Sequence, residues 1–298
     1  MTSTAITERI STPRSIRALT DEWHREGHTV GLVPTMGALH LGHRSLIERA
    51  VAECERVVVS IFVNPRQFGP GDDLDRYPRS LDADLRLCAD VGADAAYMPS
   101  AAAMYPADAT TTVRVGGAVT ETLEGAFRTG HFDGVATVVA KLFAAARPDR
   151  AYFGQKDAQQ CAVVRRLAAD LDTGVAVIVC PTVRDPDGLA LSSRNAYLTA
   201  ADRVQARAIP AGLADAMRLF DAGERSAAVL VRAVSARLAQ SPGVRPDYVA
   251  VVDPGSFTEI ATVAAAGEIV VAARLGEARL IDVVRLGRDE SPVVRRGG

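Results

Sequence analysis

A doubly wound α/β protein, with a Rossmann-like parallel-sheet N-terminal domain and a smaller α+β C-terminal domain, is predicted by three features of the 298-residue chain. Through roughly the first 180 residues, continuously apolar, β-rich runs alternate with helical patterns. Strands of that kind, separated by amphipathic helices, belong to a parallel sheet covered on both faces. The unusual polar stretches fall just after the strand-like runs, where such sheets bind ligands. After "PTVRDPDGLALSSRNAYLT" the texture changes to alanine-rich helices followed by short strands.

In order, "TVGLVPTM", "RVVVSIFVN", "DAAYMPS", "RAYFG" and "GVAVIVCPTV" read as strands. Between them, "HRSLIERAVAEC", "SLDADLRLCADVG", "VATVVAKLFAAARP" and "QKDAQQCAVVRRLAADL" read as helices. The boundary is set at Asp185, giving domains 1–184 and 185–298. The second carries helices in "AADRVQARAIPAGLADAMRLFDAG" and "SAAVLVRAVSARLAQ", then strands in "PDYVAVVD", "GEIVVAARLG" and "ARLIDVV". The polar tail "GRDESPVVRRGG" is expected to fray.

A hydrophobic content of 48% suffices for a core in either domain. Lys plus Arg (34) nearly cancels Asp plus Glu (36), so the overall field gives no reason to expect nucleic acid as a partner. Cys54, Cys88, Cys161 and Cys180 are far apart and outside zinc-ligand spacing, as expected of buried thiols in a reducing compartment. With no apolar signal core and no run near the roughly 18 residues of a membrane span, a soluble cytoplasmic protein is expected.

"PTMGALHLGH" places His40 and His43 where an apolar strand turns into a helix. Helix starts leave backbone N–H groups unpaired and favour an anion there, and Gly37 and Gly42 let the backbone approach it. Two imidazoles add donors for phosphate oxygens and for the charge that builds on a departing pyrophosphate. The same four residues also describe two surface histidines near a helix start. "FGQKDAQQ" sets Lys156 and Asp157 past a strand, suited to phosphate and to ribose hydroxyls, or to an ordinary charged helix start. "LALSSRN" offers two hydroxyls and a guanidinium to a triphosphate, or a turn with a helix cap.

Together and in order, "PTMGALHLGH", "FVNPRQFGPGDDLDRYPR", "LEGAFRTGHFDGVATVVAKLF", "YFGQKDAQQ" and "VRDPDGLALSSRN" resemble the pantoate–β-alanine ligase (pantothenate synthetase) family of the H-x-G-H nucleotidyltransferase superfamily. The likeness runs from about residue 30 to 200, and "ARLIDVV" is similar too. It implies condensation of (R)-pantoate with β-alanine, ATP going to AMP and pyrophosphate with Mg²⁺, through a pantoyl adenylate. The product belongs to vitamin B5 and coenzyme A biosynthesis. It also implies a homodimer packed through the N-terminal domain, and a C-terminal domain that covers the active site. The Pro-Asp-Gly turn before "LALSSRN" is a segment suited to movement in such a closure.

By position, the resemblance implies that Met36, Gly37, Ala38, Leu39, His40, Leu41, Gly42 and His43 form the ATP-binding turn. His43 protonates or stabilises the leaving pyrophosphate, assisted by His40. Gly154, Gln155, Lys156 and Asp157 hold the nucleotide, Lys156 at phosphate and Asp157 at ribose, and Val183 meets adenine through its backbone. Leu191, Ser192, Ser193 and Arg194 close over the phosphates. Gln67 and Gln160 hydrogen-bond pantoate, Gln67 also facing β-alanine, with Asn64, Arg128 and Tyr77 as further site residues. His131 is read as either functional or structural. Asp84 is expected to order Mg²⁺ through water.

Two positions depart from the family. Leu191 stands where Met is usual, a nearly volume-conserving change expected to keep its backbone contact. Asp185 replaces the common Glu, which puts any salt bridge from that position in doubt. Two other readings compete with the ligase. A nucleotidyltransferase that stops at an adenylated or cytidylylated product is opposed by Gln67, Gln160 and "RTGHFDGV". A non-catalytic nucleotide-binding scaffold is opposed by the presence of His43, Lys156 and Ser192.

Overall fold

The computed structural model describes residues 8–70 and 72–293. The last five residues of the tail expected to fray lie outside these. Two compact units result: the chain up to Gly154 with Val163–Cys180, and Gln155–Ala162 with the chain from Pro181 onward. The boundary read at Asp185 falls just inside the second unit. The early segment Gln155–Ala162, which the sequence reading kept in the first domain, belongs to the second unit.

The first unit is built on six parallel strands: β1 (Glu8–Ile10), β2 (Val30–Thr35), β3 (Arg56–Ile61), β4 (Ala95–Tyr97), β5 (Arg150–Gly154) and β6 (Ala176–Cys180). Their order is β1-β4-β3-β2-β5-β6. Strand order reverses at β2, with β3 on one side and β5 on the other, so the switch point lies at the carboxyl ends of β2 and β5. The helices are α1 (Pro13–Arg25), α2 (Leu41–Glu53), α3 (Leu81–Val91), the short α4 (Ala101–Met104), α5 (Ala118–Glu121) and α6 (Glu124–Phe127), then α7 (His131–Ala146) and, from Val163 onward, α8 (Ala158–Asp170).

Leu46, Ile47 and Ala50 of α2 and Cys88 of α3 bury against Val33, Val57, Val59 and Tyr152 of the sheet. Alternate strand residues such as Leu32 turn to the opposite face and are fully buried there, in a sheet with apolar cover on both sides. Neither β1 nor α1 was read from the sequence. A three-residue edge strand is too short for periodicity to register, although Thr12, which accepts from the Ser15 amide, and Pro13 are ordinary helix-start signals.

The second unit contains α9 (Ala200–Ala206), α10 (Ala208–Asp221), α11 (Ala227–Leu238) and an antiparallel sheet of β7 (Arg245–Val252), β8 (Glu268–Leu275) and β9 (Ala278–Arg285), in that order. Leu213, Leu230, Leu238, Ile269, Val271 and Val284 anchor its core. The first alanine-rich segment divides into α9 and α10. Pro210 has no N–H to offer the Ala206 carbonyl, so one continuous helix cannot form there.

All four cysteines are free and buried. Burial pushes the Cys88 thiol up to about 12, with the Asp84 charge adding to it. Cys54 and Cys180 are raised by the same desolvation. A raised thiol pKa means less thiolate at a given pH, and thiolate is the reactive form. These three thiols are therefore expected to resist maleimide at mildly alkaline pH in the native protein and to label fully in guanidinium. Mass spectrometry of both samples checks this, and rapid native labelling at any of them would contradict it.

Candidate active site

The turn from β2 into α2 sits at the switch point. Gly37 (φ 81°) and Ala38 (φ 50°) both lie in the left-handed region, which is costly for alanine. Successive backbone donors are taken up by side chains. The Gly37 amide donates to Thr35 Oγ1 (3.2 Å), Ala38 to Asp84 Oδ2 (2.9 Å), and Leu39 to Asp84 Oδ1 (2.8 Å). The His40 amide donates to His43 Nδ1 (3.3 Å) and Gly42 to His40 Nδ1 (3.1 Å), while the His43 amide also reaches the His40 side chain.

This corrects the expectation that unpaired amides of the turn receive the anion. The amides of Gly37, Ala38, Leu39, His40, Gly42 and His43 have protein acceptors, so most of the turn's backbone donors are already engaged. The same bonds set the histidine tautomers. A ring nitrogen that accepts from an amide carries no hydrogen, so in each neutral imidazole the proton sits on Nε2. The two half-buried rings lie 4.1 Å apart, centroid to centroid. Leu41 between them is 64% exposed.

Asp84 comes from the first turn of α3. Besides the two amides it accepts from Ser80 Oγ at 2.9 Å, and it is only 2% exposed. That environment does not fit the expected part in ordering Mg²⁺, because both carboxylate oxygens are engaged inside the protein. Among the described residues there is no cluster of three His, Cys, Asp or Glu side chains able to hold a metal ion.

After β3 the chain makes a 3-10 turn, Pro65–Gln67. Asn64 caps it, and its amide is fully used: Nδ2 donates to Gln67 Oε1 and Gly134 O (both 3.0 Å), and Oδ1 accepts from Tyr105 Oη (2.8 Å) and the Arg66 amide (3.3 Å). At 1% exposure Asn64 is a bracket behind Gln67, with no hydrogen-bonding position left for a substrate. Helix α7 can come this close because Gly134 lacks a Cβ. One added there would stand 2.2 Å from the Arg66 carbonyl oxygen. The Gln67 carbonyl accepts from His131 Nδ1 (2.8 Å) and from Arg128 (3.2 Å), and Arg128 also pairs with Asp72 (3.1 Å). His131, buried on α7, thus holds the backbone of the turn. Gln67 Nε2 points to Met36 Sδ (3.0 Å), a weak acceptor that an oxygen ligand would readily replace. Tyr77, also buried, packs edge-on against Phe68.

The remaining expected residues, apart from Gly154 at the end of β5, belong to the second unit. A 3-10 turn, Gln155–Asp157, leads into α8. Lys156 Nζ lies 3.6 Å from Asp157 Oδ2, and Gln160 is half-buried on the helix. Gln155 is turned inward: Nε2 donates to Asp289, so its side chain serves the unit's interior. The Leu191 amide donates to the Val183 carbonyl (3.0 Å), which ties this loop to the residue expected at the adenine. Ser192 caps the 3-10 turn Ser193–Tyr197, accepting from the Arg194 amide (3.3 Å), with Ser193 and Arg194 half-buried. The doubt over Asp185 resolves into an ion pair with Arg203 (2.6 Å), which also holds Asp187 (2.9 Å). Bonds to those two carboxylates raise the Arg203 pKa further.

Ser80, Tyr105 and the pair Arg184–Asp282 were missed by sequence reasoning. Asp282 lies in "ARLIDVV", a stretch the sequence singles out without assigning it a role, and it meets Arg184 through two bonds of 2.7 and 2.8 Å.

A parallel sheet with a two-histidine turn at its switch point, in a chain that also carries a small antiparallel-sheet unit, makes this a Rossmann-like α/β protein. The family model described as pantoate-beta-alanine ligase matches residues 8–285. The chain belongs to that family. The pantothenate synthetase of Rubrobacter xylanophilus is 49% identical, over 92% of this chain and 96% of its own length. The bifunctional pantoate ligase/cytidylate kinase of Synechococcus elongatus is 50% identical over 91% of this chain, which spans only 51% of that longer relative. Among solved structures, pantothenate synthetase from Thermus thermophilus matches with TM-score 0.89 at 43% identity, covering 97% of this chain and 100% of that one. Pantoate-beta-alanine ligase from Francisella tularensis, complexed with beta-gamma ATP and beta-alanine, matches with TM-score 0.75 at 31% identity, covering 93% and 97%.

Proposed function

We propose that the chain condenses (R)-pantoate with β-alanine at the expense of ATP, releasing pantothenate, AMP and pyrophosphate. The observation that carries this is the His40–His43 pair, fixed at the switch point with Nε2–H as donor, in a member of the pantoate–β-alanine ligase family. The Francisella relative, complexed with an ATP species and β-alanine, supports the substrate classes.

A free carboxylate is a poor acylating agent. In the first step a pantoate carboxylate oxygen attacks the α-phosphorus, and the bond to pyrophosphate breaks with its electron pair leaving on the pyrophosphate oxygen. His43, with His40 beside it, meets that growing charge through Nε2–H. In the second step the β-alanine amine attacks the acyl carbon of pantoyl adenylate, AMP leaves with the electron pair of the acyl–oxygen bond, and the amine loses a proton. Gln67 orients pantoate and then faces β-alanine, and Gln160 holds pantoate. Arg128 keeps Gln67 in place. Lys156, Ser192, Ser193 and Arg194 hold phosphate oxygens, and Asp157 and the Val183 backbone the nucleoside. Mg²⁺, when bound, neutralises charge on the phosphate oxygens that carry it. We further place the enzyme in the cytoplasm as a homodimer. Buried free thiols accord with a reducing compartment, and no helix among the described residues is long and apolar enough to cross a membrane.

The test is AMP release from the purified protein with ATP and Mg²⁺, adding pantoate alone, β-alanine alone, or both. Steady AMP only with both acids is expected. Absence of AMP with both would refute the reaction, and accumulation of a free adenylated product would replace it with a nucleotidyl transfer. Gln67→Ala is expected to raise KM for pantoate and β-alanine by about tenfold or more, with KM for ATP within about twofold. Steady-state kinetics varying each substrate in turn checks the split. A change confined to ATP would remove Gln67 from the acid site.

A further inference from the structure

Asp84 grips two consecutive amides of the nucleotide turn. Its Oδ2 takes Ala38 and its Oδ1 takes Leu39, while Ser80 Oγ gives Oδ1 a second bond. Ser80 stands at the N-cap of α3 yet makes no cap hydrogen bond. Its hydroxyl is spent on the carboxylate instead. Ala38 at φ 50° is held in a conformation that a non-glycine residue keeps only when its surroundings insist on it. The next residue but one is His40, whose ring and backbone lock with His43.

We infer that Asp84 is a positioning residue: its buried carboxylate holds Ala38 and Leu39 in the turn that aims His40 and His43, and it does not ligate a metal. This rests on the reaction proposed above. Asp84→Asn keeps the size of the side chain but replaces one acceptor oxygen with an amino group. Facing an N–H, that group repels where the oxygen bonded, so one amide of the turn is released. The loss is felt by nucleotide and not by β-alanine, and it is felt without metal.

The full chain and Asp84→Asn are titrated with ATP in EDTA by calorimetry, and both are assayed with Mg²⁺. Expected are ATP affinity in EDTA weakened about tenfold, a raised KM for ATP, and unchanged KM for β-alanine and half-saturating Mg²⁺. Equal ATP affinities in EDTA, or a raised Mg²⁺ requirement with ATP affinity intact, would overturn the assignment. Should Asp84→Asn fail to fold, Ser80→Ala decides. It leaves the carboxylate in place and is expected to weaken ATP about threefold, and no change would overturn the inference. AMP release by the unchanged chain is scored separately. Its absence removes the reaction, whereas equal affinities remove only the role of Asp84.

Discussion

His43→Ala is expected to slow pantoate-dependent pyrophosphate release by about 10²-fold or more, with a thermal unfolding curve close to that of the unchanged chain. Two functions are lost together. One is the Nε2–H donor, which the Nδ1 contact to the His40 amide keeps directed away from the turn. The other is half of the reciprocal cap at the start of α2, which costs about 1 kcal/mol. The cap term is too small to account for a hundredfold loss of rate, so the electrostatic term dominates. Single-turnover release of pyrophosphate measures the step directly. Turnover near normal in this variant would take His43 out of the mechanism.

The second large effect is on stability. Arg184→Met is expected to destabilise the protein by about 3–5 kcal/mol. Asp282 is 3% exposed, and Arg184 meets both of its oxygens while also donating to the carbonyls of Gly188 (3.1 Å) and Val283 (3.3 Å). Without the guanidinium, the carboxylate is a buried charge whose counter-charge is gone. Asp282→Leu added to Arg184→Met should restore most of the loss, since an apolar pair can replace a buried ion pair at little cost. A double-mutant cycle from thermal unfolding of the four proteins gives the coupling. If Arg184→Met alone left the transition unmoved, the bond pair would have no energetic part in the fold.

Legibility followed the range of the interaction. Strands β2 to β6 and helices α2, α3, α7 and α8 announce themselves through local periodicity, and the antiparallel strands do the same. The histidine turn was readable because its parts lie within ten residues of one another. What lay hidden is set by contacts between distant segments. Asp84 reaches the turn across 46 positions, Tyr105 reaches Asn64 across 41, and Arg184 reaches Asp282 across 98. No pattern in a short window encodes such partners. The same limit explains why the turn's amides were expected to be open to an anion. A helix start read alone has unpaired donors, and only the fold brings Thr35 and Asp84 to fill them. By position in their motifs Asn64 and Gln155 read as ligand contacts, while the fold turns their side chains to neighbours in the protein, Gln67 and Asp289.

The buried thiols also make the protein a convenient host for an optical probe. Since all four native cysteines are buried, a single Leu41→Cys substitution would place the sole accessible thiol on a side chain 64% exposed, between the two histidines. A fluorophore attached there would put the proposed nucleotide turn to a direct optical test, with a change in emission expected when a triphosphate is added.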